Sequence, residues 1–246
     1  MHTIDLNCDM GEGLTNDANL MPYITSANIA CGYHAGDETI MKRTVELALF
    51  NGVAIGAHPG FADKINFGRT EMQLSFAEVY DLVTKQIQLL QKISIGFGTK
   101  LHHVKPHGAL YNMSAKDPEL ANTVAKAVLD ADSSLVLFGL SGSHSITEAK
   151  KIRLTTASEV FADRTYQNNG SLTPRNQPNA LIETTEQSIR QVLQMLKQKT
   201  VTSIDDRQVP INAETICLHG DGVHAVSFAK HIYHTLQQYQ IGIQSI

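Results

Sequence analysis

The sequence predicts an α/β protein folded as a (β/α) barrel of about seven parallel strands, in a single domain covering residues 1–246. Two observations lead to this fold class. Short apolar or β-branched runs alternate with segments whose apolar residues recur three and four positions apart, which is typical of parallel β-α-β units. Six of the seven runs are followed by charged residues or histidine beside glycine or proline, as expected where strands open onto one shared rim.

Each predicted strand is short and is followed by a polar segment, which we call its exit. The strands are expected at 3–8, 27–31, 53–57, 101–105, 135–138, 157–161 and 215–218. The exits read NCDMGE, CGYHAGD, AHPGF, KPHGALY, GLSGS, ADRTY and LHGDG. A doubly wound open sheet also collects functional residues at strand ends and is the main alternative. Polar exits on all seven strands favour the closed barrel.

Capping residues mark the predicted helices between these strands. Asp37 is a candidate N-cap for a helix that Gly52 closes. Ser75 and Glu78 have the spacing of a capping box, and Asp117 before proline can begin the next helix. Further helices are predicted at 184–198 and 223–239.

Composition limits the classes of partner and compartment. Of the 246 residues, 42% are apolar, which is enough for one substantial core. Lys and Arg total 20 against 24 Asp and Glu, which argues against nucleic-acid or anionic-membrane partners. The three cysteines lack CxxC spacing and fit a reducing compartment. With no signal peptide and no apolar run near the roughly 18 residues of a membrane span, a cytoplasmic location is expected.

The first strand carries an unusual row of polar side chains. Asp5, Asn7 and Asp9 alternate with apolar residues and therefore share one face. A carboxylate inside a fold costs several kcal/mol unless it is paired, hydrogen-bonded or bound to a metal. We expect this row to line the interior and mouth of the barrel, with a solvated edge strand as the alternative.

The segment at about 161–178 is long, polar and rich in turn formers. The Asn-Gly pair at 169–170 predicts a hairpin, and two prolines exclude a helix. We interpret the segment as a flap over the site that carries Arg164 and Arg175, with a solvated hairpin as the alternative. A second hairpin is expected at 200–212.

Several motifs, in order along nearly the whole chain, are similar to those of the LamB/YcsF family. They are DLNCDMGE at 5–12, ANIACGYHAGD at 27–37, GAHPGF at 56–61 with FGR at 67–69, VKPHGALY at 104–111, EVFADRTY at 159–166 and CLHGD at 217–221. The resemblance implies a barrel related to the glycoside hydrolase and polysaccharide deacetylase superfamily. It also implies ATP-dependent opening of 5-oxo-L-proline to L-glutamate, with Mg²⁺, by a bacterial 5-oxoprolinase that includes two further subunits, B and C. One departure is Asn169, where an acidic residue is expected.

Opening a lactam requires cations for anionic groups, a base for water and donors for the developing oxyanion. The candidate catalytic residues are Asp9, His58, Lys105, His107, His219 and Asp221. The candidate substrate- or phosphate-binding residues are Asp5, Asn7, Glu12, His34, Arg69, Tyr111, Arg164 and Arg175. Two roles stay open: Lys105 is also suited to a structural ion pair with Asp5 or Asp9, and Tyr111 to packing.

ATP and metal sites are less clearly marked. No GxxxxGK[ST] loop is present, so the sequence does not place the nucleotide. Asp9, His34 and His58 are suitable ligand types for a divalent ion at the barrel mouth, but no HxxxH or HExxH spacing supports them. Two alternatives remain: a metal-dependent deacetylase of N-acetyl sugars that needs no ATP, and a non-catalytic subunit that binds substrate or assembles partners.

Overall fold

Seven parallel strands form the central barrel in the computed structural model, which describes residues 3–218 and 225–246. The barrel strands are β1 (Thr3–Met10), β2 (Ser26–Ala30), β3 (Ala54–His58), β4 (His103–Val104), β5 (Val136–Leu140), β6 (Thr156–Phe161) and β9 (Thr215–Leu218). As predicted for 200–212, β7 (Thr200–Thr202) and β8 (Gln208–Pro210) form a separate antiparallel hairpin. A short strand, β10 (Gly242–Ile243), pairs with the start of β1.

The sheet closes on itself through its first and last barrel strands. β1 pairs with β2 on one side and with β9 on the other, and β6 pairs with β9 to complete the ring. Asn7 therefore lies opposite both Ser26 and Cys217. Closure confirms the predicted barrel and excludes the doubly wound open sheet, which would leave two edge strands.

Helices connect most of the barrel strands. They are α1 (Asp17–Leu20), a 3₁₀ helix (Met21–Tyr23), α2 (Glu38–Asn51), α3 (Phe76–Gly96), α4 (Gly108–Lys116), α5 (Pro118–Ala131), α6 (His144–Lys151), α7 (Thr185–Gln198) and α8 (Ala225–Gln238). All five predicted helices are confirmed. The short helices α1, α4 and α6 were not predicted, because four to nine residues are too few to show a helical stripe. Among the described helices, none is both long and apolar enough to cross a membrane.

The predicted caps are present at the helix ends. The Asp37 side chain accepts a hydrogen bond from the Ile40 amide, and Gly52 ends α2 with a left-handed φ of 67°. Ser75 and Glu78 form the reciprocal capping box of α3. These local bonds satisfy backbone groups that a helix leaves unpaired at its ends, so the ends are set by short-range chemistry.

The two faces of β1 have different surroundings. The apolar residues of β1 pack outward against the helices, whereas Asp5, Asn7 and Asp9 point into the barrel and are all buried. Asp5 Oδ1 accepts hydrogen bonds from Thr25 and Ser26, and Asn7 Nδ2 donates to Thr215 Oγ1 at 2.6 Å. The prediction of a polar barrel interior is therefore confirmed.

The segment at 161–178 contains a tight antiparallel turn. Tyr166 forms an isolated bridge with Leu172, and Gly170 in the turn has a φ of 82°. Arg164 forms a second antiparallel bridge, with Leu181. The part from Asn169 onwards lies along the wall of the cavity described below.

Gly56 makes room for an aromatic side chain inside the barrel. The His103 ring stacks on Phe138 with 4.2 Å between the ring centroids, and its Nε2 lies 2.8 Å from Asn28 Oδ1. A Cβ atom on Gly56 would lie only 2.1 Å from His103 Nε2. The interior at this level has no space for a side chain on β3.

Gly56→Ala is expected to destabilise the protein by about 1–3 kcal/mol, because the fixed His103 ring must move. Urea unfolding of this variant and of wild type measures the difference. Gly96→Ala is the matched control, since a Cβ there meets no atom within 4 Å. Equal stability of the Gly56 variant and wild type would contradict the described packing.

Candidate active site

A cavity of about 1020 Å³ opens at the C-terminal end of the barrel. Its walls come from the exits of β1, β3, β4, β5 and β6 and from residues 169–176. Parallel strands place all their C-terminal ends at this rim, so residues far apart in sequence meet here. Five of the seven predicted exits thus line the cavity, and most of the exit after the last barrel strand lies outside the described residues.

A buried lysine joins the barrel interior to the floor of this cavity. Lys105 Nζ lies 2.9 Å from Asp9 Oδ1 and 2.9 Å from a Glu159 carboxylate oxygen. It also lies 3.3 Å from Asn7 Oδ1 and 3.1 Å from Cys217 Sγ. Burial acts to lower the pKa of Lys105, but the neighbouring Asp9, Cys217 and Glu159 raise it well above its usual value. Lys105 is therefore charged and neutralises part of two buried acids.

Backbone carbonyls fix the tautomers of two histidines. His58 Nδ1 lies 2.6 Å from the Lys105 carbonyl oxygen, which can only accept, so Nδ1 carries the hydrogen. His107 Nε2 lies 2.9 Å from the Phe67 carbonyl oxygen and carries its hydrogen for the same reason. The remaining nitrogens, His58 Nε2 and His107 Nδ1, face each other at 2.8 Å. In the neutral rings these are two lone pairs, an arrangement that a shared proton or a cation would stabilise.

Two more ligand-type side chains approach the same point. The rings of His34 and His107 are stacked with 3.8 Å between centroids, and Glu12 Oε1 lies 3.5 Å from both His34 Nε2 and His107 Nδ1. One ligand atom from each of Glu12, His34, His58 and His107 lies within 4.8 Å of the others. We call these four residues the histidine cluster.

Two glycines in the quoted motifs allow the rings to stack. A Cβ on Gly60 would lie 2.7 Å from His34 Nδ1, and one on Gly68 would lie 2.7 Å from His34 Cβ. Gly68 also has a φ of 63°, which disfavours other residues. Gly60 of GAHPGF and Gly68 of FGR therefore make room for the histidine cluster.

Two histidines of the cluster, His34 and His107, are neutral at physiological pH. Burial, followed by the charge of His58, lowers the pKa of His34 to about 3. The same causes lower the pKa of His107 well below its usual value. Neutral imidazoles with a carboxylate are a donor set that suits zinc and similar transition metals. Backbone carbonyls that fix the ring orientation are typical of the outer shell of metal sites. The residues present fit a divalent metal ion.

The group of side chains that could hold a metal ion differs from the tentative trio of Asp9, His34 and His58. The structure adds Glu12 and His107. It directs Asp9 Oδ1 to Lys105 and Asn28, while Asp9 Oδ2 lies 3.3 Å from His58 Nε2. Asp9 is thus a neighbour of the cluster that is already engaged with the buried lysine.

Other predicted site residues separate into two groups. Asp5 and Asn7 lie inside the barrel below the cavity, where serine, threonine and asparagine side chains satisfy them. Residues that line the cavity are Asp9, Glu12, His58, Arg69, Lys105, His107, Tyr111, Arg164 and Arg175. His219 and Asp221 lie outside the described residues.

Tyr111 and Arg164 both line the cavity, and their protonation states follow from their surroundings. Burial and the Glu159 carboxylate raise the pKa of Tyr111 well above its usual value, so its hydroxyl stays protonated. The Arg164 guanidinium donates to the carbonyls of Thr173 and Ala180. Burial and the nearby charge of Arg175 lower the pKa of Arg164 to about 10, which still leaves it charged.

Glu159 is a site residue that was not predicted from the sequence. It is fully buried, on the inward face of β6, and contacts Lys105. The argument applied to Asp5 and Asp9, an acid at an alternate position of a buried strand, would have found it within EVFADRTY. The turn after β5, Ser141–Ser143, belongs to the predicted exit GLSGS and lines the cavity, but none of its residues was named as a candidate site residue.

Comparisons with known proteins agree on the family and the fold. Residues 4–246 match the model of the LamB/YcsF family. The A subunit of a 5-oxoprolinase from Tolumonas auensis is 51% identical over 251 residues, covering all of both chains. The crystal structure of a lactam utilization protein from Thermus thermophilus has a TM-score of 0.93 at 38% identity, covering 99% of this chain and 100% of that one. A peptidoglycan deacetylase from Bacillus subtilis shares only the fold, with a TM-score of 0.50 at 12% identity over 99% of this chain and 86% of that one.

Lys105→Met is expected to lower the free energy of unfolding by about 3–5 kcal/mol, because it leaves Asp9 and Glu159 buried without their cation. Chemical denaturation measures the loss. Adding Glu159→Gln to this variant should restore part of it by removing one charge.

Lys42→Met is the control for removing a lysine from an exposed ion pair. Lys42 contacts Glu38 at 2.7 Å on the surface of α2, where such a pair contributes less than about 1 kcal/mol. If the Lys105 and Lys42 variants lost the same small amount, the buried ion pair could not be holding the barrel interior together.

Proposed function

The chain belongs to the LamB/YcsF family, and we propose that it is the A subunit of an ATP-dependent 5-oxoprolinase that opens 5-oxo-L-proline to L-glutamate. The name of the Tolumonas relative and that of the Thermus structure, a lactam utilization protein, support this substrate class. Designation of the Tolumonas relative as one lettered subunit of an enzyme supports further subunits, which we propose to be B and C. The cavity of about 1020 Å³ is large enough for a small lactam together with a phosphate group.

The observation that carries this proposal is the histidine cluster beside Lys105 at the cavity floor. A five-membered lactam is a stable amide, so its hydrolysis needs an activated carbonyl carbon and a base that takes a proton from water. His58 Nε2 and His107 Nδ1 present lone pairs at the same place. Their orientations are held by the backbone carbonyls of Lys105 and Phe67, as a base requires.

ATP would activate the carbonyl carbon. Transfer of its terminal phosphoryl group to the lactam oxygen releases ADP. Water then forms a C–O bond while a histidine takes its proton, and the C–N bond breaks as the ring nitrogen gains a proton. A second water releases the phosphate and leaves L-glutamate. Electrostatic stabilisation of the phosphoryl group would come from cations that line the cavity.

The cationic residues of the wall are suited to the anionic parts of the substrates. We assign the lactam carboxylate or the phosphate to Arg69, Arg164 and Arg175, which all line the cavity. Lys105 has a different role, because its Nζ is already surrounded by acceptors. It holds Asp9 in place, and its carbonyl orients His58. The Tyr111 hydroxyl is a donor for the developing oxyanion, and His219 and Asp221 remain candidates for the base and its orienting acid.

We further propose that the histidine cluster can hold a divalent metal ion; in that form the ion, and not a histidine, would activate the water, because a metal-bound nitrogen cannot also take a proton. Such an ion would polarise the carbonyl or lower the pKa of a bound water. This donor set also favours a second candidate function, metal-dependent deacetylation of N-acetyl sugars, which cleaves an exocyclic amide without a nucleotide. The two functions differ in their requirement for ATP with Mg²⁺, so one set of assays distinguishes them.

Glutamate release from 5-oxo-L-proline by this chain with subunits B and C is the direct test. We expect release only when ATP, Mg²⁺ and all three subunits are present. Release of acetate from N-acetyl sugars without ATP would support the deacetylase instead. If the folded and associated subunits produced neither product, the chain would be a non-catalytic component of the complex, and the proposal would be wrong.

His107→Gln should lower kcat for glutamate release by about 10²–10⁴-fold, the usual contribution of a general acid or base. His231→Gln is the matched control, because His231 lies on the exposed surface of α8 and contacts Ser227. Melting curves for both variants show whether the fold is kept. A His107 variant that is folded and as active as wild type would exclude the histidine cluster from the reaction.

A further inference from the structure

The turn between β5 and α6 presents a helix N-terminus to the cavity. Ser141, Gly142 and Ser143 make the turn, and α6 begins at His144. The first amide groups of a helix have no acceptor within it and carry a partial positive charge. Successive amides of this kind, close to a glycine, are a common site for phosphate.

Ser143 is the residue that makes this helix end unusual. Serine at the N-cap normally accepts a hydrogen bond from the second or third amide of the helix. The Ser143 side chain makes no such bond. It is 8% exposed, lines the cavity, and its buried Oγ has no hydrogen-bond partner among the described residues. A buried hydroxyl without a partner is costly, so a ligand that accepts from it would stabilise it.

The turn is held rigidly by contacts on both sides. The Ser141 amide donates to the Glu159 carbonyl at 2.9 Å, and Ser141 Oγ accepts from the Asn212 amide at 2.9 Å. Gly142 has a φ of 75°, which suits glycine in a tight turn. The amides of α6 are therefore preorganised and need no rearrangement to bind an anion.

Cations of the cavity wall complement this helix end. Arg164 and Arg175 line the same cavity and are close enough for the charge of Arg175 to act on Arg164. Asp163 offsets part of this positive charge, and a bound anion would offset more of it. Lys151 also lines the cavity, but Glu148 pairs with it at 2.7 Å, so the two arginines are the stronger candidates.

We propose that the Ser143 hydroxyl and the first amides of α6 bind a phosphate group, with Arg164 and Arg175 supplying the balancing charge; the Ser141 and Ser143 amides are already bound to the carbonyls of Glu159 and Leu140. The inference rests on the proposed function in one respect: the phosphate is then the terminal group of ATP or the inorganic phosphate that the reaction releases. Both present the same doubly charged oxygen face to the amides and to Ser143. The nucleotide base lies outside what these residues determine.

Ser143→Asp tests the site, because an aspartate there would cap α6 and place a negative charge where the phosphate binds. Isothermal titration of the purified full chain with Mg²⁺ and a non-hydrolysable ATP analogue, and separately with inorganic phosphate, measures the binding. We expect wild type to bind at least one probe, and the variant to bind it at least about tenfold more weakly, or about 1.4 kcal/mol. The melting temperature of the variant should not fall.

Ser75→Asp is the matched control, since Ser75 caps α3 on the exposed surface away from the cavity. It adds the same charge to another helix end and should leave binding unchanged. Should Ser143→Asp fail to fold, Ser143→Gly keeps the turn, removes only the hydroxyl and is expected to weaken binding by a few fold. Tighter binding of the nucleotide analogue identifies ATP as the source of the phosphate; binding of inorganic phosphate alone identifies the product.

The inference is overturned if wild type binds neither probe, or if folded Ser143→Asp binds as tightly as wild type. The glutamate assay separates this failure from that of the proposed function. If Ser143→Asp releases glutamate at the wild-type rate with an unchanged KM for ATP, the proposed phosphate site is wrong and the 5-oxoprolinase assignment is unaffected. If phosphate binding depends on Ser143 but the complex opens no lactam, the 5-oxoprolinase assignment is wrong and the phosphate site is supported.

Discussion

The ion pairs of Lys105 with Asp9 and Glu159 are the interaction on which the rest of the site depends. The two carboxylates come from β1 and β6, and the lysine extends from the end of β4 into the space between them. Two acids in a barrel interior would be strongly destabilising without a cation. The single ammonium group therefore links three strands on different sides of the ring. It explains how β1 can carry Asp9 on its inward face, whereas the hydroxyl groups of Thr25, Ser26 and Thr215 satisfy Asp5.

Lys105 also connects this interior to the cavity. Its side chain offsets the acids, while its carbonyl oxygen fixes which nitrogen of His58 carries the hydrogen. The Phe67 carbonyl does the same for His107. Two backbone groups thereby direct two lone pairs to one point, beside Glu12 and His34. Gly60 and Gly68 leave room for the His34 and His107 rings to stack beside this point. Preorganisation of this kind costs stability and is expected at a site for a cation or a reacting proton.

The sequence was most informative where chemistry is local or strictly periodic. Helix caps such as Asp37 and the capping box at Ser75 could be predicted because they involve neighbours three residues apart. The inward row of β1 followed from the two-residue period of strands. The pairing of Lys105 with Glu159 could not be predicted, because it depends on which strands face each other across the closed barrel. Asp5 shows the limit of the same reasoning: its face was predicted correctly, but its depth below the cavity depends on strand register. The short α6 gave no periodic signal, so the exit GLSGS was predicted without the helix that begins after it.

Anomalous X-ray diffraction from crystals grown with zinc is the most direct test of whether one cation binds between Glu12, His34, His58 and His107. Data collected on both sides of the zinc absorption edge should show a peak bordered by these four side chains, and the peak should be absent from crystals of a His34→Ala variant. A wild-type map without a peak there, from crystals that hold zinc elsewhere, would contradict the metal site. The facing lone pairs of His58 and His107 would then require a shared proton.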